Sequence, residues 1–89
     1  MNNPTDEITS IERALTQEAR QPGTIDKVLQ AQRIHRLISD GTRDLPPRLL
    51  SWYAGTLTRW RRSLRAYRPL ADVPPADRPR IRLLLTPTP

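Results

Sequence analysis

Between Pro47 and Arg68, Leu50, Leu57 and Leu64 recur every seven residues, and Tyr53, Trp60 and Tyr67 follow each leucine by three. Alternation of leucine with an aromatic at this period is the pattern of a helix that lays one seam against a neighbour. The chain has two tryptophans, two tyrosines and no phenylalanine, so this row claims three of its four aromatics. The spacing predicts a helix over 47–68. Pro46-Pro47 opens it, where a missing N–H has no partner to lose, and Pro69 ends it.

Two shorter helices are expected upstream. Ile8, Ile11, Leu15 and Ala19 recur at spacings of three and four, which puts one apolar stripe on a helix over 5–20. Thr5 is its expected cap, with Asp6 and Glu7 at the positive end of the helix dipole. Gln21-Pro22-Gly23 stops it. Thr24 is the expected cap of a helix over 25–39, whose Ile25, Val28, Leu29, Ala31, Ile34, Leu37 and Ile38 cover much of the circumference. A helix apolar on several sides sits centrally in its fold. Gly41 is its expected left-handed terminator.

Residues 70–89 change character. Prolines 74, 75, 79, 87 and 89 argue against a helix. Ile81-Arg82-Leu83-Leu84-Leu85 reads as an extended arm. The expected fold is therefore all-α: a flexible start over 1–4, a three-helix domain over 5–69 and an extended Pro/Arg-rich tail over 70–89. Its expected core is Ile8, Ile11, Leu15, Val28, Leu29, Ile34, Leu37, Ile38, Leu50, Tyr53, Leu57, Trp60 and Leu64. That core is thin for 89 residues, which favours a partner or a homo-oligomer formed through the Leu50/Tyr53/Leu57/Trp60/Leu64 seam.

Several function classes are disfavoured by the residues themselves. Without cysteine there is no disulfide framework and no thiolate metal site. His35 is the sole histidine and reads as a boundary residue beside Arg36. The glycines stand singly, and no phosphate-loop, dinucleotide or nucleophile-elbow motif occurs. No apolar run approaches membrane-spanning length, and the first residues do not form an apolar leader. The expectation is a non-catalytic cytoplasmic protein with no cofactor and no metal.

Charge is distributed unevenly. Residues 1–26 carry five acids against two arginines, and residues 27–89 carry thirteen cations against four acids. The chain thus passes from a net −3 to a net +9, an asymmetry that fits an anionic partner for the second part. Between Asp44 and Asp72 there is no acid, while Arg48, Arg59, Arg61, Arg62, Arg65 and Arg68 all lie there. At about 100° per residue, Arg59, Arg62 and Arg65 point away from the seam, and Trp52 lies beside Arg48 and Arg59. Cations flanking an aromatic suit phosphate binding with base stacking. Arg78, Arg80 and Arg82 alternate with other residues in the tail and extend the basic character. The expected binding set is Arg48, Trp52, Arg59, Arg62, Arg65, Arg78, Arg80 and Arg82. The favoured partner is nucleic acid. The alternative is an adaptor or small regulatory subunit that docks an acidic protein surface through the third helix and the tail.

Overall fold

A computed structural model describes residues 4–64 and 74–85. Its described elements are four α-helices and one 3-10 turn: α1 (Pro4–Arg20), α2 (Lys27–Ser39), α3 (Pro47–Leu64), the turn Pro75–Asp77, and α4 (Arg78–Leu85). No strand occurs among the described residues, so the all-α expectation holds.

Each helix boundary has a local cause. Pro4 starts α1, and the Thr5 to Gln17 stretch contains no helix breaker. Beyond α1, Gly23 takes φ +87°, and its N–H donates to both carboxylate oxygens of Glu18 at 3.0 and 3.1 Å. The cap of α2 is Asp26 rather than Thr24. The Asp26 carboxylate accepts from the Leu29 N–H at 3.1 Å, whereas the Thr24 hydroxyl donates back to the Gln21 carbonyl at 2.7 Å. Thr24 is thus used to close the turn, and the helix begins two residues later. At the other end Gly41, at φ +76°, donates to the Ile38 carbonyl while Thr42 donates to the Leu37 carbonyl. This paired arrangement satisfies two carbonyls the helix would leave open, and it requires the left-handed conformation that glycine adopts freely.

Packing places α2 at the centre, in contact with α1, α3 and α4, as its broad apolar surface implies. Ile11 and Leu15 of α1, Ala31, Ile34 and Leu37 of α2, Leu49, Tyr53, Leu57 and Trp60 of α3, and Leu83 of α4 form the buried core. Ile8, Val28 and Ile38 pack against it half-buried.

Three expectations are corrected here. Leu50 is 40% exposed while Leu49 is fully buried, and Thr56, at 1% exposure, joins the buried stripe. Leu49, Tyr53, Thr56 and Trp60 step by four, three and four residues. Tyr53, Leu57 and Trp60 of the expected seam are buried, but the inner face extends from them toward Leu49 and Thr56 rather than toward Leu50; the Leu64 side chain and Tyr67 lie outside what the structure describes. Leu29 is 47% exposed, outside the core; it stands in the first turn of α2, where the capping interaction engages its N–H. Third, residues 78–85 form a helix where an extended arm was expected. Pro75 and Pro79 both stand in opening turns, at the first position of the 3-10 turn and the second of α4, where a proline removes few hydrogen bonds. Burial of Leu83 and packing of Ile81 and Leu84 then hold α4 against the bundle. Residues 65–68 of the expected third helix, and 70–73 and 86–89 of the expected tail, lie outside the described residues.

Candidate functional site

The outward row of α3 follows from the way its inner face is set. With Leu49, Tyr53, Thr56 and Trp60 directed inward, Arg48, Arg59 and Arg62 fall within roughly 60° of one another on the far side. All three are exposed. The Arg48 guanidinium donates to the Thr16 hydroxyl of α1 at 2.9 Å, and the Arg59 guanidinium donates to the Thr56 hydroxyl at 3.2 Å. Among the described residues none of the three forms an ion pair with a carboxylate. Neutral oxygens partly fix Arg48 and Arg59, and among the described residues no carboxylate neutralises any of the three.

Trp52 lies at the edge of this row, half-buried and packed against the core. Its ring is therefore shared between packing and the surface. Arg65 lies outside the described residues.

The three α4 arginines separate from the α3 row. Arg80 sits over the Trp60 ring, 5.5 Å from its centroid, and pairs with Asp77 at 3.6 Å. Trp60 points inward, roughly 160° around α3 from Arg62, so this contact belongs to the buried side of the helix. The Arg80 Nε is buried without a hydrogen-bond partner. Arg82 also has an interaction within the fold, and Arg78 is exposed. The structure thus brings Arg48, Trp52, Arg59 and Arg62 together along α3 and does not bring Arg80 to them.

Two acids of α1, Glu7 and Glu18, face the other way. The Glu7 carboxylate accepts two hydrogen bonds from the Arg33 guanidinium, at 2.8 and 3.1 Å, and Arg33 also donates to the Gln30 side chain. Hydrogen bonding from Arg33, aided by its charge and that of Arg36, holds the Glu7 carboxyl below its ordinary value against the opposing effect of burial. Glu18 pairs with Lys27 at 3.2 Å, and the Gly23 N–H together with Lys27 lowers its pKa. Both acids are tied to α2 or the turn leading to it, not to the arginines of α3.

Sequence reasoning passed over one feature of α1. Arg13, Thr16, Gln17 and Arg20 share the face opposite Ile11 and Leu15, and with Glu12 and the incoming Arg48 they line an open groove of about 600 Å³. The three-and-four spacing of that polar stripe was available in the sequence, but the net acidity of residues 1–26 concealed it. His35 is half-buried, with its Nδ1 3.1 Å from the Tyr53 hydroxyl in a hydrogen bond. Burial raises the pKa of that hydroxyl. Among the described residues no group of three metal-ligating side chains occurs, and no helix is long and apolar enough to cross a membrane. No family model, curated protein or solved structure matches the chain.

Proposed function

We propose that this chain is a non-catalytic, cytoplasmic nucleic-acid-binding protein that contacts phosphates through the arginine row of α3. The observation that carries the reading is the division of charge. Glu7 and Glu18 are paired with Arg33 and Lys27, while among the described residues Arg48 and Arg59 contact only hydroxyls and Arg62 is exposed with no carboxylate partner. A guanidinium braced by a neutral acceptor retains donors for a phosphate and loses little freedom on binding it. Arg65 continues the same row in sequence, and Arg78 adds a cation on α4. Trp52 contributes the exposed part of its ring.

Reversing the row tests the reading. The double variant Arg59→Glu, Arg62→Glu swings the surface by four charges at exposed positions, where each lost contact is worth about 0–1 kcal/mol to the fold. Its melting temperature is expected to stay near wild type while affinity for labelled DNA or RNA falls about a hundredfold at moderate salt. Fluorescence anisotropy beside a thermal melt reads both. If the wild-type protein binds neither nucleic acid, the adaptor reading replaces this one. The exposed Leu50 and Leu85 would then be the first side chains to test at a protein interface.

A further inference from the structure

We infer that the groove between α1 and the start of α3 is a second phosphate-binding segment, continuous with the α3 row, and that it takes the phosphodiester backbone of a nucleic-acid strand. The inference rests on the nucleic-acid reading of α3 and extends it onto a helix whose net charge points the other way.

The groove is built by position rather than by composition. Arg13 and Arg20 are two turns apart on α1, roughly 10 Å along its axis, and both are exposed. Thr16 lies between them, and its hydroxyl does two things at once. It donates to the Glu12 carbonyl at 2.9 Å and accepts from the Arg48 guanidinium at 2.9 Å. Arg48 is thereby drawn across from α3 into the wall that Arg13 and Arg20 form. Glu12 is the one acid among the lining residues, so three guanidiniums face one carboxylate.

The remaining acids of α1 do not cancel this surface. Glu7 and Glu18, eleven residues apart, share a flank roughly 130° around the helix from Arg13 and Arg20, and each is paired there with a cation of α2 or its first turn. Asp6 lies two turns before Arg13 and does not line the groove. Arg48 belongs to both surfaces. From Arg62 through Arg59 to Arg48 the row runs roughly 20 Å along α3, and at Arg48 it meets the groove. An open, cation-lined path of this kind suits a backbone that presents phosphate at every nucleotide, and the side-chain amides of Gln17 and Gln21 in its lining add hydrogen-bond donors that read no base.

The experiment compares two double variants of the full chain, Arg13→Gln, Arg20→Gln and Arg59→Gln, Arg62→Gln, against labelled single-stranded DNA and RNA across a salt series. Circular dichroism checks that both remain folded. The groove variant is expected to bind about tenfold more weakly at moderate salt, with the slope of log affinity on log salt reduced by about 1.4, the value for two lost contacts to a single strand. Unchanged affinity and slope in the groove variant, with a loss in the α3 variant, would overturn the groove while leaving the α3 reading in place. Wild-type protein that binds no oligonucleotide would remove both. Equal affinity of the wild-type protein for poly-glutamate and for the oligonucleotides would show that the groove selects acidity rather than phosphodiester.

Discussion

The α1–α2 side of the molecule and the outer side of α3 treat charge in opposite ways. Where α1 meets α2, Glu7 and Glu18 each find a cation at 2.8–3.2 Å, and Arg33 is fixed further by Gln30. These contacts join consecutive helices and help set the angle between them. On α3, Arg48 and Arg59 lean on threonine hydroxyls and Arg62 is exposed. Nothing there needs a charge for the fold to form, since an uncharged glutamine or methionine stem would cover the same surface. Among the described residues, the charges that join α1 to α2 are matched, and those on the outer side of α3 are left to solvent. Net charge by segment cannot make this distinction, because the acidic first third contributes both the matched acids and the unmatched Arg13 and Arg20.

The largest expected effect comes from breaking the inner face of α3, since its rotation decides where the arginines point. Leu49→Asp buries an unpaired carboxylate at a fully enclosed site and is expected to unfold the protein. Leu50→Asp, one position on, places the same group at a 40% exposed site and is expected to cost less than about 1 kcal/mol. Chemical denaturation of the pair reads the register directly. Equal destabilisation by both would mean that the helix is turned toward the leucine row and that the arginine row faces elsewhere.

This register was the least legible part of the fold. The heptad located α3 correctly, and its aromatics Tyr53 and Trp60 are buried as the spacing implies. The period alone does not say on which side of the aromatics the second row of the seam lies. Leu50 and Leu49 are both leucine, and a rule that prefers apolar residues passes over Thr56, which is small enough to be enclosed where α3 packs. The α4 helix was missed for a related reason. Proline content alone argues against a helix there, whereas Pro75 and Pro79 both occupy opening turns. Among the candidate binding residues, the α3 row was readable from helical geometry. The capture of Arg80 by Trp60 and the meeting of Arg48 with α1 depend on tertiary contacts between segments 20 to 32 residues apart, and no local pattern encodes those.

A smaller effect sharpens the matched side. Glu7 has a folded pKa below its ordinary 4.5, so it contributes stability that is present above that value and is lost as the pH falls through the lower folded value. Glu7→Gln is expected to cost about 1 kcal/mol near neutral pH and to flatten the loss of stability between pH 5 and the acid limit of folding. Its affinity for nucleic acid is expected to be unchanged. Urea melts at a series of pH values, run beside anisotropy at neutral pH, check both halves. A variant that keeps the wild-type acid dependence would show that the Glu7–Arg33 contact does not hold the helices in solution.

The smallest effect concerns Arg80, which stands between the two categories. It is a cation expected in the binding set, yet it lies over Trp60 and beside Asp77. A cation over an aromatic ring at a partly exposed site contributes about 0.5–1 kcal/mol, and a long pair at 3.6 Å between half-buried members adds little. Against these stands the buried Nε without a partner, whose lost hydration costs on the order of 1–3 kcal/mol. Arg80→Met keeps an unbranched apolar stem against the tryptophan and removes both the charge and the unsatisfied N–H. The opposing effects are of similar size, so its stability is expected to stay within about 1 kcal/mol of wild type, a shift of roughly 4–8 °C at most in melting temperature. Leu83→Ala, which empties a buried site on the same helix, is expected to cost about 2–5 kcal/mol and calibrates how strongly α4 is docked. If Arg80 serves packing, Arg80→Met binds nucleic acid nearly as well as wild type while Arg62→Gln does not. A loss of affinity equal to that of Arg62→Gln would instead place Arg80 on the binding surface and require α4 to leave Trp60 when the partner arrives.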